Sequence, residues 1–341
     1  YEQGDLVKAT LEFKNALQIN PLASAHQYYM GLIAQKQNNI GAAMDAFRKA
    51  AGSDPKTFDA NLKAGQLVLM TGDADTALGY ADKVVALAPG KSEGHALKGA
   101  SLLLKNKLPD AEKEAKAALA IDPKNVDAMI VLAGKQVRDA KPADALAIVQ
   151  DGLTRAPDSK DLLLLKLKLV YDAKQPAEVE AVLRRLHEVD PKNEAYVIDL
   201  ANQLAQANRL GDAEDVFRQA VAANPTSDAL LSAFAGFLAS KKGVDEAIAE
   251  ISKLAGQSKD GKYVFLLEQL YIKSGKLGDA KALLTKFQQS STAVNDKLQA
   301  TVELARITIL EGDEKAGLDQ LNSVIVQDPG NETAVLLRGA I

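Results

Sequence analysis

Few side chains in this sequence could do covalent or acid–base chemistry. Of 341 residues, three are histidine and none is cysteine. Without cysteine there are no disulfides, thiolate zinc sites, iron–sulfur clusters or cysteine nucleophiles. His26, His95 and His187 lie far apart, and His187-Glu188 lacks the second histidine one turn on that a zinc-protease helix requires. Gly94-His95-Ala96-Leu97-Lys98-Gly99 has the glycine spacing of a phosphate loop, but Ala100-Ser101 follows where a lysine and a hydroxyl residue must grip the phosphate. Gly90-Lys91-Ser92 has that ending without the upstream glycine. No G-x-G-x-x-G occurs. Glu112, Glu114, Asp212, Glu214 and Asp215 lie beside lysines and arginines. They read as solvated helix faces with ion pairs of a few tenths of a kcal/mol, and nothing sets two of them across a cleft. The expectation is a protein that is not an enzyme, with no catalytic residue, no metal and no cofactor.

Charge and composition narrow the partners. Lys and Arg number 41 against 45 Asp and Glu, giving a net charge of -4. That lacks the basic footprint of a nucleic-acid binder. Apolar residues at 47% and charged residues at 25% suit a folded chain rather than a disordered one. Aromatic residues at 5% leave little for stacking on bases. The most apolar stretch, Leu162 to Tyr171, is broken by Lys166 and Lys168 and is too short to span a bilayer.

The elements are set by an internal repeat. Pro21, Pro55, Pro89, Pro123, Pro157, Pro191 and Pro225 follow one another at an unbroken 34-residue spacing. Proline disfavours helix at the residue before it and is tolerated in a first turn, so each marks a break between helices. Ten residues after each proline stands a small residue in most units: Gly31, Gly65, Gly99, Ala133, Ala201 and Ala235. Twelve before come Ala9, Ala43, Ala77, Ala111, Ala145 and Ala213, and eight before come bulkier Phe13, Phe47, Val149, Leu183 and Phe217. Small residues at fixed points let two helices approach, and the bulky one fills the remaining gap. Turn signals such as Asn38-Asn39, Thr71-Gly72-Asp73 and Leu210-Gly211-Asp212 divide each unit in two.

This period and this small/small/bulky/proline pattern resemble the tetratricopeptide repeat family. The resemblance implies an all-α fold: a right-handed superhelical solenoid of antiparallel helix pairs, about nine full repeats with a half repeat at each end. The expected single array has repeats at 24–57, 58–91, 92–125, 126–159, 160–193, 194–227, 228–260, 261–294 and 298–331, with partial repeats 1–23 and 332–341. The sequence thus reads as a piece of a longer chain. Three places depart from the pattern. Leu167 and Val179 replace small residues, the proline is lost near Gly256, and Glu268 stands where a small residue is expected, followed by about three extra residues before 298. A hinge or a change of pitch is expected over 256–297.

In such a solenoid the first helix of each unit lines a concave face, and the family implies binding of a peptide or protein segment there. By phase, the expected groove residues in the first half are Tyr28, Leu32 and Gln35; Leu62, Gln66 and Leu69; Ala96, Ala100 and Leu103; and Ile130, Gly134 and Val137. They continue with Leu164, Lys168 and Tyr171; Ile198 and Asn202; Phe265 and Gln269; and Arg306. Family members that hold a carboxylate terminus use a Lys and an Asn one turn apart. Here the matching pairs are Tyr28/Leu32, Leu62/Gln66, Ala96/Ala100 and Ile130/Gly134, so that clamp is absent. The groove reads as apolar, suiting an apolar or amphipathic segment. Glutamate at Leu62 and Ile130 is expected to abolish capture without unfolding the chain.

A narrower resemblance lies in the opening repeat. Glu12-Phe13-Lys14-Asn15-Ala16-Leu17-Gln18 is similar to early repeats of bacterial tetratricopeptide lipoproteins of the PEP-CTERM/exosortase and exopolysaccharide secretion type. That implies a periplasmic or outer-membrane-tethered scaffold, its lipid-bearing cysteine upstream of these residues. Two other classes stay open: a cytoplasmic adaptor or co-chaperone, and the substrate-recruiting region of a larger enzyme.

Overall fold

The computed structural model describes residues 5–256 and 261–341, and among them are twenty α-helices and no strand. The chain divides into two units, Tyr1–Val189 and Asp190–Ile341. The first holds a leading helix α1 (Leu6–Ile19) and five helix pairs. The pairs are α2 (Ser24–Lys36) with α3 (Ile40–Ser53), α4 (Phe58–Met70) with α5 (Ala74–Leu87), α6 (Ser92–Leu104) with α7 (Leu108–Ile121), α8 (Val126–Arg138) with α9 (Pro142–Arg155), and α10 (Lys160–Asp172) with α11 (Pro176–Val189). The first helix of each pair begins at 24, 58, 92, 126 and 160, in step with the prolines.

Two different turns alternate. At the proline turn the preceding residue is forced out of the helical region: Asn20, Asp54 and Asp122 have φ between -131 and -137 and ψ between 90 and 101. Asp54 also closes its own turn, its carboxylate accepting from the Lys56 backbone N–H at 3.1 Å and the Thr57 hydroxyl at 2.9 Å. Within each pair the chain instead reverses through one left-handed residue: Asn38, Gly72, Asn106, Ala140 and Lys174, with φ from 53 to 86. At the turns of Asn38, Asn106, Ala140 and Lys174 the N–H of the next residue donates back into the last turn of the helix, as Lys141 does to the Gln136 carbonyl at 2.8 Å. Asn and Gly suit that conformation, whereas Ala140 and Lys174 hold it against a steric penalty.

Packing follows the small-residue phase. Ala43, Ala77, Ala111 and Ala145 are fully buried, as are Phe47 and Val149. At Gly31 a β-carbon would sit 2.6 Å from the Phe47 ring, so glycine there is a condition of the α2–α3 approach. Gly65 is under the same constraint, from Leu97 at 2.7 Å.

The second unit repeats the scheme. Its pairs are α12 (Glu194–Gln206) with α13 (Leu210–Ala223), α14 (Asp228–Lys241) with α15 (Val244–Ala255), α16 (Lys262–Lys273) with α17 (Leu277–Ser290), and α18 (Val294–Leu310) with α19 (Glu314–Gln327), followed by α20 (Glu332–Gly339). Phe217, Phe234 and Phe237 form its aromatic centre, with ring centroids 5.4 and 5.7 Å from Phe217. The extra residues before 298 form no loop. They lengthen α18 to 17 residues against 12–14 for the other first helices of this unit. The expected hinge at 256–297 includes residues 257–260, which lie outside the described residues.

Glu268, the residue out of phase, is 1% exposed on α16. Its Oε1 accepts from Arg306 on α18 at 2.8 Å, and Arg306 also pairs with Glu303 at 2.7 Å. Burial pushes the Glu268 carboxyl above its ordinary range, Arg306 draws it back, and the Glu303 carboxylate pushes it up again.

Candidate functional site

On the first unit, α4, α6 and α8 wall a concavity of about 380 Å³. Its depth comes from residue size. The middle helix α6 presents half-buried Ala100 above fully buried Ala96, with the larger Leu69 on α4, Leu103 on α6 itself and Ile130 on α8 around it. Buried Leu67, Leu97 and Val131 complete the floor. Gln35 and Gln66 supply the amides of the lining, and Lys63 and Asp127 its charges. Met70 stands at the rim, 72% exposed.

The electrostatics of the groove centre on Asp127. Its carboxyl is held above the ordinary carboxylate range, first by desolvation against the groove wall and then by the nearby Asp161 carboxylate, while Lys63 opposes both. Asp127 remains open to solvent on its outer side. The site therefore offers an apolar floor, two amides and a carboxylate whose charge is not neutralised by a contact.

Of the expected residues, Gln35, Gln66, Leu69, Ala96, Ala100, Leu103 and Ile130 line this concavity, Ala96 fully buried beneath it. Val137, Leu164 and Tyr171 lie further along the same stripe and are exposed, Tyr171 by 61%. Lys168 is exposed and pairs with Asp172 at 3.1 Å. Tyr28 and Leu32 are half-buried and pack on the cluster around Phe47, the Tyr28 and Phe47 rings 5.5 Å apart. Leu62 departs from expectation. It is only 8% exposed and packs with Ala81, Val84 and Leu97, because the neighbouring helix pair closes over it. Glutamate there would bury a charge, so binding cannot be separated from folding at Leu62, whereas Ile130 is half-buried beside the cluster around Met129 and Val149.

In the second unit Ile198 is half-buried and Asn202 exposed. Phe265 packs edge-on to Phe287 at 5.6 Å and shares a more polar hollow with Gln269, Asp228 and Asp296. Arg306 departs from expectation too. Its guanidinium is engaged by Glu268 and Glu303, so it serves the packing of α18 on α16. Phase reasoning missed Lys63, Met70 and Asp127, although Asp127 belongs to a series visible in the sequence: Asp59, Glu93, Asp127 and Asp161 at the repeat period.

The histidines are dispersed as well. His95 on α6 bonds Glu114 on α7 through Nδ1 at 2.7 Å, and Lys98 joins Glu114 to Asp82. Among the described residues no group of three or more His, Cys, Asp or Glu side chains could hold a metal. Among them, too, no helix is long and apolar enough to cross a membrane.

Comparison with known proteins agrees with this architecture. Residues 28–92 and 62–126 each match the tetratricopeptide repeat family model. These matches span the helix pairs from α2 to α7, and the pairs that follow keep the same helix–turn–helix layout. No curated protein matches the chain. Among solved structures, the chain is similar to a thermophilic tetratricopeptide repeat protein of Thermus thermophilus, at 18% identity and TM-score 0.49, covering 54% of this chain and 100% of that one. It is similar to PilW, a widely conserved type IV pilus biogenesis factor, at 21% identity and TM-score 0.46, covering 57% and 90%. It is also similar to a MamA fragment from Desulfovibrio magneticus, at 19% identity and TM-score 0.41, covering 47% and 90%.

Proposed function

We propose that the protein is a non-catalytic scaffold that captures a segment of a partner protein in the groove over Ala96 and Ala100. The observation that supports this is the groove itself: an apolar concavity of about 380 Å³ on the face that repeat geometry leaves open to a partner. Burying an apolar anchor there contributes roughly 1.5–3 kcal/mol per side chain. The resemblance of the opening repeat supports reading this capture as a part of protein sorting or exopolysaccharide secretion in the bacterial envelope, with a periplasmic or outer-membrane-tethered location. The test is affinity capture from envelope and cytosolic extracts with wild-type protein and Ile130→Glu. The reading requires envelope sorting or export proteins that are held by wild type and lost in the variant. Capture of cytosolic chaperones would overturn the envelope assignment, and equal capture by both proteins would overturn the groove.

A further inference from the structure

Building on that groove reading, we infer that the segment it takes is a cationic amphipathic helix, with an apolar face on the alanine floor and lysines or arginines toward a row of carboxylates at one edge. Asp59, Glu93, Asp127 and Asp161 occupy the same place in α4, α6, α8 and α10, each in the first helical turn. Each lies three residues before a position of one repeat phase, buried Leu62 and Ala96 and the more open Ile130 and Leu164, and so on the same helix stripe, and Asp127 lines the concavity itself. A helix dipole favours acids in any first turn. Yet the equivalent residues of α2, α12 and α14 are Ala25, Ala195 and Ala229; α12 and α14 carry their first-turn acids one place earlier, at Glu194 and Asp228, where Glu194 accepts from Asn224 and Ser227 and Asp228 pairs with Lys262 at 3.1 Å. All four carboxylates are exposed. Among the described residues Asp59, Asp127 and Asp161 have no hydrogen bond or ion pair, although lysines and arginines elsewhere in the unit are widely paired.

The form of the partner follows from the walls. Every wall is a helix whose backbone groups are already bonded within it, and only Gln35 and Gln66 offer amides. An extended segment would bring its own N–H and C=O groups into that floor unpaired, at about 1–3 kcal/mol each. A helix satisfies them internally. Adjacent packed helices lie about 8–10 Å apart, so the carboxylates recur at about that interval. A helix rising about 1.5 Å per residue meets them with cations about five to seven residues apart, one and a half to two turns on one side.

The test uses three labelled peptides of about twenty residues, long enough to cross α4 to α10. The first has a Leu/Ala face flanked by lysines seven apart. The second has glutamates in their place, and the third keeps the lysines but carries prolines at its centre. Each is titrated by fluorescence anisotropy against wild type, an Asp127→Asn/Asp161→Asn double variant and Ile130→Glu, with circular dichroism to show that each variant is folded. The expected result is that wild type binds the lysine peptide at least about tenfold tighter than the glutamate peptide and the proline peptide. The preference over glutamate should collapse in the double variant and at high salt. Equal binding of the lysine and glutamate peptides by wild type, lost in Ile130→Glu, would overturn the cationic partner and leave the groove standing. Undiminished binding of the proline peptide would overturn the helix. Binding that Ile130→Glu leaves unchanged, or no binding of any peptide, would overturn the groove reading itself.

Discussion

Filling the groove from its floor separates a binding surface from a merely apolar one. Ala100 sits past the middle of α6, half-buried, and shares the concavity with Leu103 of the same helix and Ile130 of α8. Ala100→Leu adds an isopropyl group at a residue that lines the concavity. Stability should change by no more than about 0.5 kcal/mol, the range of surface substitutions. The partner loses the seat of one apolar anchor, about 1.5–3 kcal/mol, which is a factor of about 10–150 in affinity. Anisotropy titration with the lysine peptide measures that loss, and thermal unfolding followed by circular dichroism checks the fold. Ala120→Leu, an exposed position on α7, is the matched control and should bind as wild type does. A folded Ala100→Leu protein with unchanged affinity would refute the reasoning, because no partner could then lie over the alanine floor.

Other consequences concern the frame around the groove. Leu62→Glu should unfold or strongly destabilise the first unit, by more than about 3 kcal/mol, where Ile130→Glu leaves it folded; urea unfolding of the two variants side by side decides this. Glycine at Ala140 or Lys174 relieves a left-handed residue and should raise stability by about 0.5–1 kcal/mol per site, read as a shift in urea midpoint. In the second unit, the Glu268 carboxyl titrates above its unfolded value of 4.5. The folded state therefore binds the extra proton between the two values, and this group's contribution to stability falls as pH rises through that window. The stability of Glu268→Gln relative to wild type should grow as pH rises from 4.5 toward neutrality; a difference that does not vary with pH would exclude the buried carboxyl as its cause. Arg306→Ala removes the partner of that carboxylate and should cost roughly 3–5 kcal/mol above the window, seen as an early unfolding step by calorimetry.

The helix phases were legible because both turns are written in local chemistry. A proline fixes one, through the residue before it, and a left-handed residue fixes the other. Gln66, Leu69, Leu103 and Ile130 were legible for the same reason, since a phase predicts a face. What phase could not show is how far a neighbour covers that face. Leu62 shares the register of Ile130, yet Val84 and Leu97 close over it. The Glu268–Arg306 pair joins residues 38 positions apart, outside the 34-residue period. Periodicity flagged Glu268 as an intruder and had no means of naming the residue that answers it. The row from Asp59 to Asp161 was periodic all along, but acids at helix starts are common enough to be taken for dipole partners alone.

The turns have one more consequence. Nearly every bond that reverses the chain is struck between residues two to five positions apart: Asp54 with Lys56 and Thr57, Lys141 with Gln136, Gln175 with Val170. Each corner is thus made by its own neighbourhood and asks nothing of distant sequence. A chain built this way gathers quickly, because little of it must find a remote mate. It also comes apart in order. Terminal helices have a neighbour on one side only, so fraying starts there and moves inward pair by pair, and protection from hydrogen exchange should grade from the ends of each unit toward its middle. Damage at one corner is quarantined by the same rule: a broken turn spoils its own pair and the faces that touch it, while the rest of the stack keeps its shape.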